Sequence, residues 1–153
     1  MRRRKMLGFI GSGPLALAAL GAAKAEDNPP QEGRAVGLPK DPRTSCFEQC
    51  ERLAKLCLLI ADQCLEDLRA GRGNAAALAA LHRSLADCRE FCSLAVVMVL
   101  RESPYRASSC VACAEVCSRC EEVAERATFE SKDQVVEELK ECAAICREVA
   151  QLR

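Results

Sequence analysis

From residue 45 onward, cysteine and apolar positions recur at alternating steps of three and four. Cys46, Cys50, Leu53, Cys57, Ile60 and Cys64 form the first such series, which winds onto one stripe of an α-helix. Leu78, Leu81, Leu85, Cys88, Cys92, Ala95 and Val99 form a second, with Arg83, Asp87, Arg89 and Glu90 off it. The third runs Cys110, Cys113, Cys117, Cys120, Ala124, Ala127, flanked by Glu115, Arg119, Glu121 and Glu122, and the fourth is Val135, Leu139, Cys142, Cys146, Val149. No stretch alternates with the two-residue period of a half-buried strand.

Punctuation between the series predicts four helices. The first runs from about Ser45 to Ala70, opened by Ser45 and Glu48 as a capping box and closed by Gly71 and Gly73. The second runs from Asn74 to Ser103-Pro104, the third from Ala107 to Ala127, and the fourth from Ser131 or Lys132 to the C-terminus, with Ser131 and Gln134 as a second box. Short links between long helices force antiparallel neighbours. The expected fold is therefore all-α, an antiparallel up-down-up-down four-helix bundle over residues 44–153 with a cysteine-lined core.

Two segments precede it. Residues 1–25 read as an export signal peptide, with a basic run Arg2-Arg3-Arg4-Lys5, an apolar stretch Met6 to Ala23 and the small-residue pattern Ala23-Lys24-Ala25 before Glu26. Arg3-Arg4-Lys5-Met6-Leu7 resembles the twin-arginine motif, with Arg2 where Ser or Thr is usual. An uncleaved membrane anchor is disfavoured because the apolar stretch is only marginally long enough to span and carries several glycines. Residues 26–43 hold Pro29, Pro30, Gly33, Gly37, Pro39 and Pro42 and read as a flexible linker. The expected destination is the bacterial periplasm. Cleavage after Ala25 removes five of the 22 basic side chains (Arg2, Arg3, Arg4, Lys5, Lys24) and none of the 22 acidic ones, leaving a net charge near −5. An acidic chain with no basic block offers no footprint for nucleic acid, nor for a membrane once the leader is gone.

Twelve cysteines against one histidine and no tryptophan make sulfur the dominant chemistry. Disulfides are the ordinary use of cysteine outside the cytoplasm. Positions three or four apart on a helix, however, hold their Cβ atoms about 5–6 Å apart, whereas a disulfide needs roughly 3.5–4.5 Å. Only interhelical disulfides then remain open. Thiolate is a soft ligand that selects Cu(I), zinc or iron–sulfur clusters, and the stripes carry no Asp, Glu or His among the thiols. Zinc and iron–sulfur sites favour loop cysteines in closed sets, and straight helical ladders suit neither. Copper(I) accepts two or three sulfurs, which suits the Cys-x₃-Cys pairs (46/50, 88/92, 142/146) and Cys-x₂-Cys pairs (110/113, 117/120).

The candidate ligands are Cys46, Cys50, Cys57, Cys64, Cys88, Cys92, Cys110, Cys113, Cys117, Cys120, Cys142 and Cys146. At about 1.5 Å per residue, Cys46 and Cys110 lie toward one end, followed by Cys50, Cys92 and Cys113. Cys57, Cys88, Cys117, Cys120, Cys142 and Cys146 share the middle, and Cys64 lies toward the other end. Bridged thiolates at about one copper per sulfur would keep such a column close to neutral. The competing reading is a disulfide- or zinc-stabilised bundle that serves as an interaction module.

This pattern resembles the copper storage proteins, cysteine-lined four-helix bundles of which some are exported behind twin-arginine leaders. The resemblance covers about Ser45 to Arg153 and the leader. It implies storage of multiple Cu(I) ions by the twelve cysteines and a homo-oligomer, a tetramer of bundles. Exported members carry His and Met at one mouth of the bundle; after the leader this chain has only His82 and Met98, each one step off a stripe. Catalysis is not expected, since there is no Glu-x-x-His pair, no Gly-rich phosphate loop and no exposed activated cysteine.

Overall fold

The structure, a computed structural model, describes residues 41–152. The leader expected at residues 1–25, and all but the last three residues of the expected linker, lie outside the described residues. Four helices follow one another: α1 (Pro42–Arg69), α2 (Ala75–Leu100), α3 (Arg106–Arg126) and α4 (Lys132–Gln151). Each packs on its neighbours in sequence and α4 closes back onto α1, with no diagonal packing, so the bundle runs up, down, up, down. No helix among the described residues is long and apolar enough to cross a membrane.

Local chemistry sets the helix ends. Asp41 accepts a hydrogen bond from the Arg43 backbone N–H at 3.2 Å, and Pro42 occupies the first turn, where its missing donor is harmless. This cap starts α1 three residues before Ser45, so the expected Ser45/Glu48 box lies inside the helix. Asn74 caps α2 as expected, its side chain accepting from Ala77 N at 3.0 Å. Gly71 and Gly73 turn the chain at φ +66° and +71°. A Cβ on Gly73 would also lie 3.3 Å from Leu78 Cδ1. The α2 helix ends at Leu100, short of Ser103, because the chain turns through Glu102 at φ 48°. Ser131 sits at φ 62° with no side-chain cap bond, so the second expected box does not form.

Two ends can be distinguished. The proximal end gathers the starts of α1 and α3 and the finishes of α2 and α4, and the distal end gathers the opposite termini. Large apolar side chains fill the distal half: Leu78, Leu81, Leu85, Val135 and Leu139 are at most 1 % exposed. The other cysteines fill the proximal half and the middle, with Leu53, Ala95 and Val149 between them, and Cys64 lies distally. The first stripe drifts by one position, so Ala61 is buried and Ile60 only half-buried. That is the drift expected when a straight 3.6-residue helix follows a 3.5-residue pattern. Polar contacts tie α1 to α4: buried Gln49 Nε2 donates to Glu138 Oε2 at 2.8 Å, and Arg52 pairs with Glu138 at 3.0 Å and Glu141 at 3.2 Å.

With so few large apolar groups, each one matters. Leu139→Ala is expected to lower the apo protein's stability by about 2–5 kcal/mol, read from denaturant unfolding, without loss of helix content.

Candidate metal centre

None of the twelve cysteines exceeds 1 % exposure, and all are free thiols. The 3.6-residue period on four helices aims every one at the bundle axis. Three sets have sulfurs within 4.8 Å of one another: Cys46, Cys50 and Cys146; Cys50, Cys92, Cys113 and Cys142; and Cys88, Cys92 and Cys117. Cys50 belongs to the first two sets and Cys92 to the last two, so the sets join corner to corner. The shortest sulfur contacts are interhelical: Cys50–Cys146 at 3.5 Å, Cys50–Cys142 at 3.6 Å, and Cys46–Cys146, Cys88–Cys117 and Cys92–Cys113 at 3.7 Å. The within-helix pair Cys46–Cys50 is wider, at 4.0 Å. These are van der Waals contacts between thiols, far beyond the roughly 2.05 Å of a disulfide.

Three more cysteines extend the column. Cys110 interacts with Cys146 and Cys46, and Cys57 and Cys120 each interact with Cys88. Cys64 stands apart. Its thiol is pushed up first by burial and then by the Asp67 carboxylate, with no other cysteine involved. Seven residues, roughly 10 Å of helix, separate it from Cys57, and the distal leucines occupy its level.

The levels of α4 differ from those expected. Cys142 lies with Cys50, Cys92 and Cys113, and Cys146 with Cys46 and Cys50, both nearer the proximal end than the middle. The reason is the length of α4: it ends at Gln151, level with the start of α3, where Arg106 Nη2 donates to the Leu152 carbonyl at 2.9 Å. His82 and Met98 are half-buried, and His82 belongs to none of the sulfur sets.

Among the described residues no Lys, Arg or His is buried with the thiols, so the thiols shift one another's protons. Contacts with its neighbours, Cys117 foremost, hold the Cys113 pKa down. Cys88 is held down chiefly by Cys117, and Cys146 chiefly by Cys110. The other thiols are pushed up: Cys50, Cys92, Cys117 and Cys142 chiefly by Cys113, Cys110 by Cys146, and Cys57 and Cys120 by Cys88. Burial adds to this by disfavouring the charged form. The arrangement offers soft, neutral sulfur that becomes a ligand when a cation displaces its protons.

A model of the copper storage protein family matches residues 40–151. The chain belongs to the copper storage protein family. Known structures share the fold. A copper storage protein solved with Cu(I) bound, BsCsp3, is 24 % identical with a TM-score of 0.63, over 72 % of this chain and 99 % of that one. A protein of Nitrosospira multiformis is 27 % identical with a TM-score of 0.60, over 73 % and 97 %. The apo form of copper storage protein 3 from Bacillus subtilis is 25 % identical with a TM-score of 0.60, over 70 % and 97 %. No curated protein matches the chain by sequence. The family's role is storage, not catalysis.

Eight thiols (Cys50, Cys57, Cys64, Cys92, Cys110, Cys117, Cys120, Cys142) are pushed up and three (Cys88, Cys113, Cys146) held down. A raised thiol stays protonated when folded while its unfolded counterpart ionises near pH 8.5, so its stabilisation is complete below that pH and is lost above it. The depressed three favour the fold above the ordinary thiol pKa, but they are outnumbered. The apo protein's unfolding midpoint is therefore expected to fall between about pH 8.5 and 10, followed anaerobically by circular dichroism. A rising midpoint would contradict the assignment.

Proposed function

We propose that the chain stores multiple Cu(I) ions as bridged thiolates along its core. The supporting observation is the run of corner-sharing sulfur sets: Cys50 and Cys92 each face two sets, so one thiolate can serve two ions. Two-coordinate Cu(I) at isolated thiol pairs would leave an anion at each site in a dry core. Sharing sulfurs toward one copper per thiolate removes that charge. Membership of the copper storage family supports the same reading. Eleven cysteines form the storage column in this proposal, with Cys64 as an outlying twelfth.

The interaction-module alternative gains no specific support, since all twelve thiols are free and the sulfur sets overlap instead of forming separate closed tetrahedral sites. We assign residues 1–25 to a twin-arginine signal peptide and the mature chain to the periplasm, on the arginine pair and the Ala23-Lys24-Ala25 pattern. Twin-arginine export carries folded proteins, so the thiols would cross already buried. Oligomerisation is part of the proposal: Leu58, Leu59, Leu94, Val97 and Leu100 leave α1 and α2 with exposed apolar side chains.

Anaerobic titration with Cu(I) against a competing chelator is expected to saturate near one ion per sulfur of the column and to raise the unfolding temperature. Cys64→Ala should leave the capacity almost unchanged, while Cys50→Ala should lose more than one ion because two sets share that sulfur. Saturation at one or two ions in the wild type would sink the storage reading. For export, the periplasmic protein should begin at Glu26, with a light-scattering mass several times that of one chain. Arg3→Lys with Arg4→Lys should trap it, uncleaved, in the cytoplasm.

A further inference from the structure

Copper has to reach the column from one end, and the two ends differ. Distally, Leu78, Leu81, Val135 and Leu139 close the core. Proximally, Cys46 lies in the second turn of α1, Cys110 four residues into α3 and Cys146 five residues before the end of α4. The sulfurs that end the column are at this end, whereas Cys64, five residues before the end of α1, stands at the other end outside the sulfur sets.

Arg106 begins α3, the helix that carries Cys110. It is half-buried, and its Nη2 donates to the Leu152 carbonyl at 2.9 Å, spanning to the end of α4. Its Nε is the one buried side-chain nitrogen or oxygen without a hydrogen-bond partner among the described residues. A buried donor left unpaired is costly, and a guanidinium keeps its charge at any working pH. Cys110 follows one helical turn later on the same face, and helical side chains lean back toward the N-terminus, here toward Arg106. Arg43, also at this end, is engaged outside with Glu102 at 3.5 Å.

Loading creates the anion that this donor lacks. Two neutral thiols and one Cu(I) give a bis-thiolate unit of charge −1 and release two protons to water. Until further copper shares those sulfurs, the charge sits in a core with no other cation. We propose that Arg106 is a positioning residue for copper loading: its guanidinium takes up the negative charge of the first Cu(I) bis-thiolate, formed among Cys46, Cys110 and Cys146. This rests on the storage reading above. The column then fills from the proximal end, beginning where a fixed cation offsets the cost of the first ion.

The test compares wild type, Arg106→Lys and Arg106→Gln in anaerobic Cu(I) titrations against a chelator that resolves the first two equivalents, with apo stability measured alongside. Arg106→Gln should weaken those equivalents by about tenfold or more and leave the final capacity unchanged. Arg106→Lys, which keeps the charge, should stay within about threefold of wild type. Removing residues 152 and 153 breaks the Leu152 contact but keeps the charge, and should leave the first equivalents unaltered. Unchanged affinity in Arg106→Gln would overturn the proposal. So would equal losses in Gln and Lys, or a tenfold loss on truncation, because each would make Arg106 a latch and not a counter-charge. Wild-type saturation at one or two ions overturns the storage reading along with this one; saturation with many ions and no dependence on Arg106 overturns this one alone.

Discussion

Neutral thiols touching one another in a dry core are the interaction on which the rest of the molecule depends. A thiol is small, weakly polar and a poor hydrogen-bond donor, so it can be buried without the penalty of a hydroxyl or a charge. It also fills little space. A bundle whose proximal half and middle are lined by Cys46, Cys50, Cys92, Cys113, Cys142 and Cys146 gains less from burial there than leucine would give. The compensation is spatially separate. Leu78, Leu81, Leu85, Val135 and Leu139 concentrate the apolar volume distally, and Gln49, Arg52, Glu138 and Glu141 clamp α1 to α4 from outside. Stability and metal chemistry thus occupy different lengths of the same core.

Most of this was legible in the sequence because burial on a helix is periodic. Steps of three and four placed all twelve cysteines inward, and the stripes ended where Gly71, Gly73 and Asn74 interrupt them. What escaped was whatever depends on competition or on register between helices. Ser45 with Glu48 is a sound capping box, yet Asp41-Pro42 upstream offers a cap and a pre-set φ, and the earlier signal won. Ser131 with Gln134 has the right letters, but the turn from α3 puts Ser131 in the left-handed region, where no cap bond forms. The levels of Cys142 and Cys146 required knowing where α4 stops against α3, a tertiary contact made by Arg106 with Leu152. No local signal marked Arg106 itself, because a lone arginine at a helix start reads as surface. The isolation of Cys64 is similar: its place on the stripe is right, but it belongs to no sulfur set, seven residues beyond Cys57 on α1.

The sharing of sulfurs between sets explains why a column serves storage better than discrete sites. A closed four-thiolate site around one monovalent ion would hold three net negative charges in the core, and separate two-thiolate sites would hold one per ion. When Cys50 faces both Cys146 and Cys142, and Cys92 faces both Cys113 and Cys88, the charge left by one ion is what the next ion neutralises. Each addition after the first is then favoured electrostatically and ends only when sulfur runs out. The first ion has no such predecessor, and it is the one for which a fixed cation matters. A single guanidinium at the end where filling starts is therefore sufficient, and a second one deeper in the column would oppose the cations that follow.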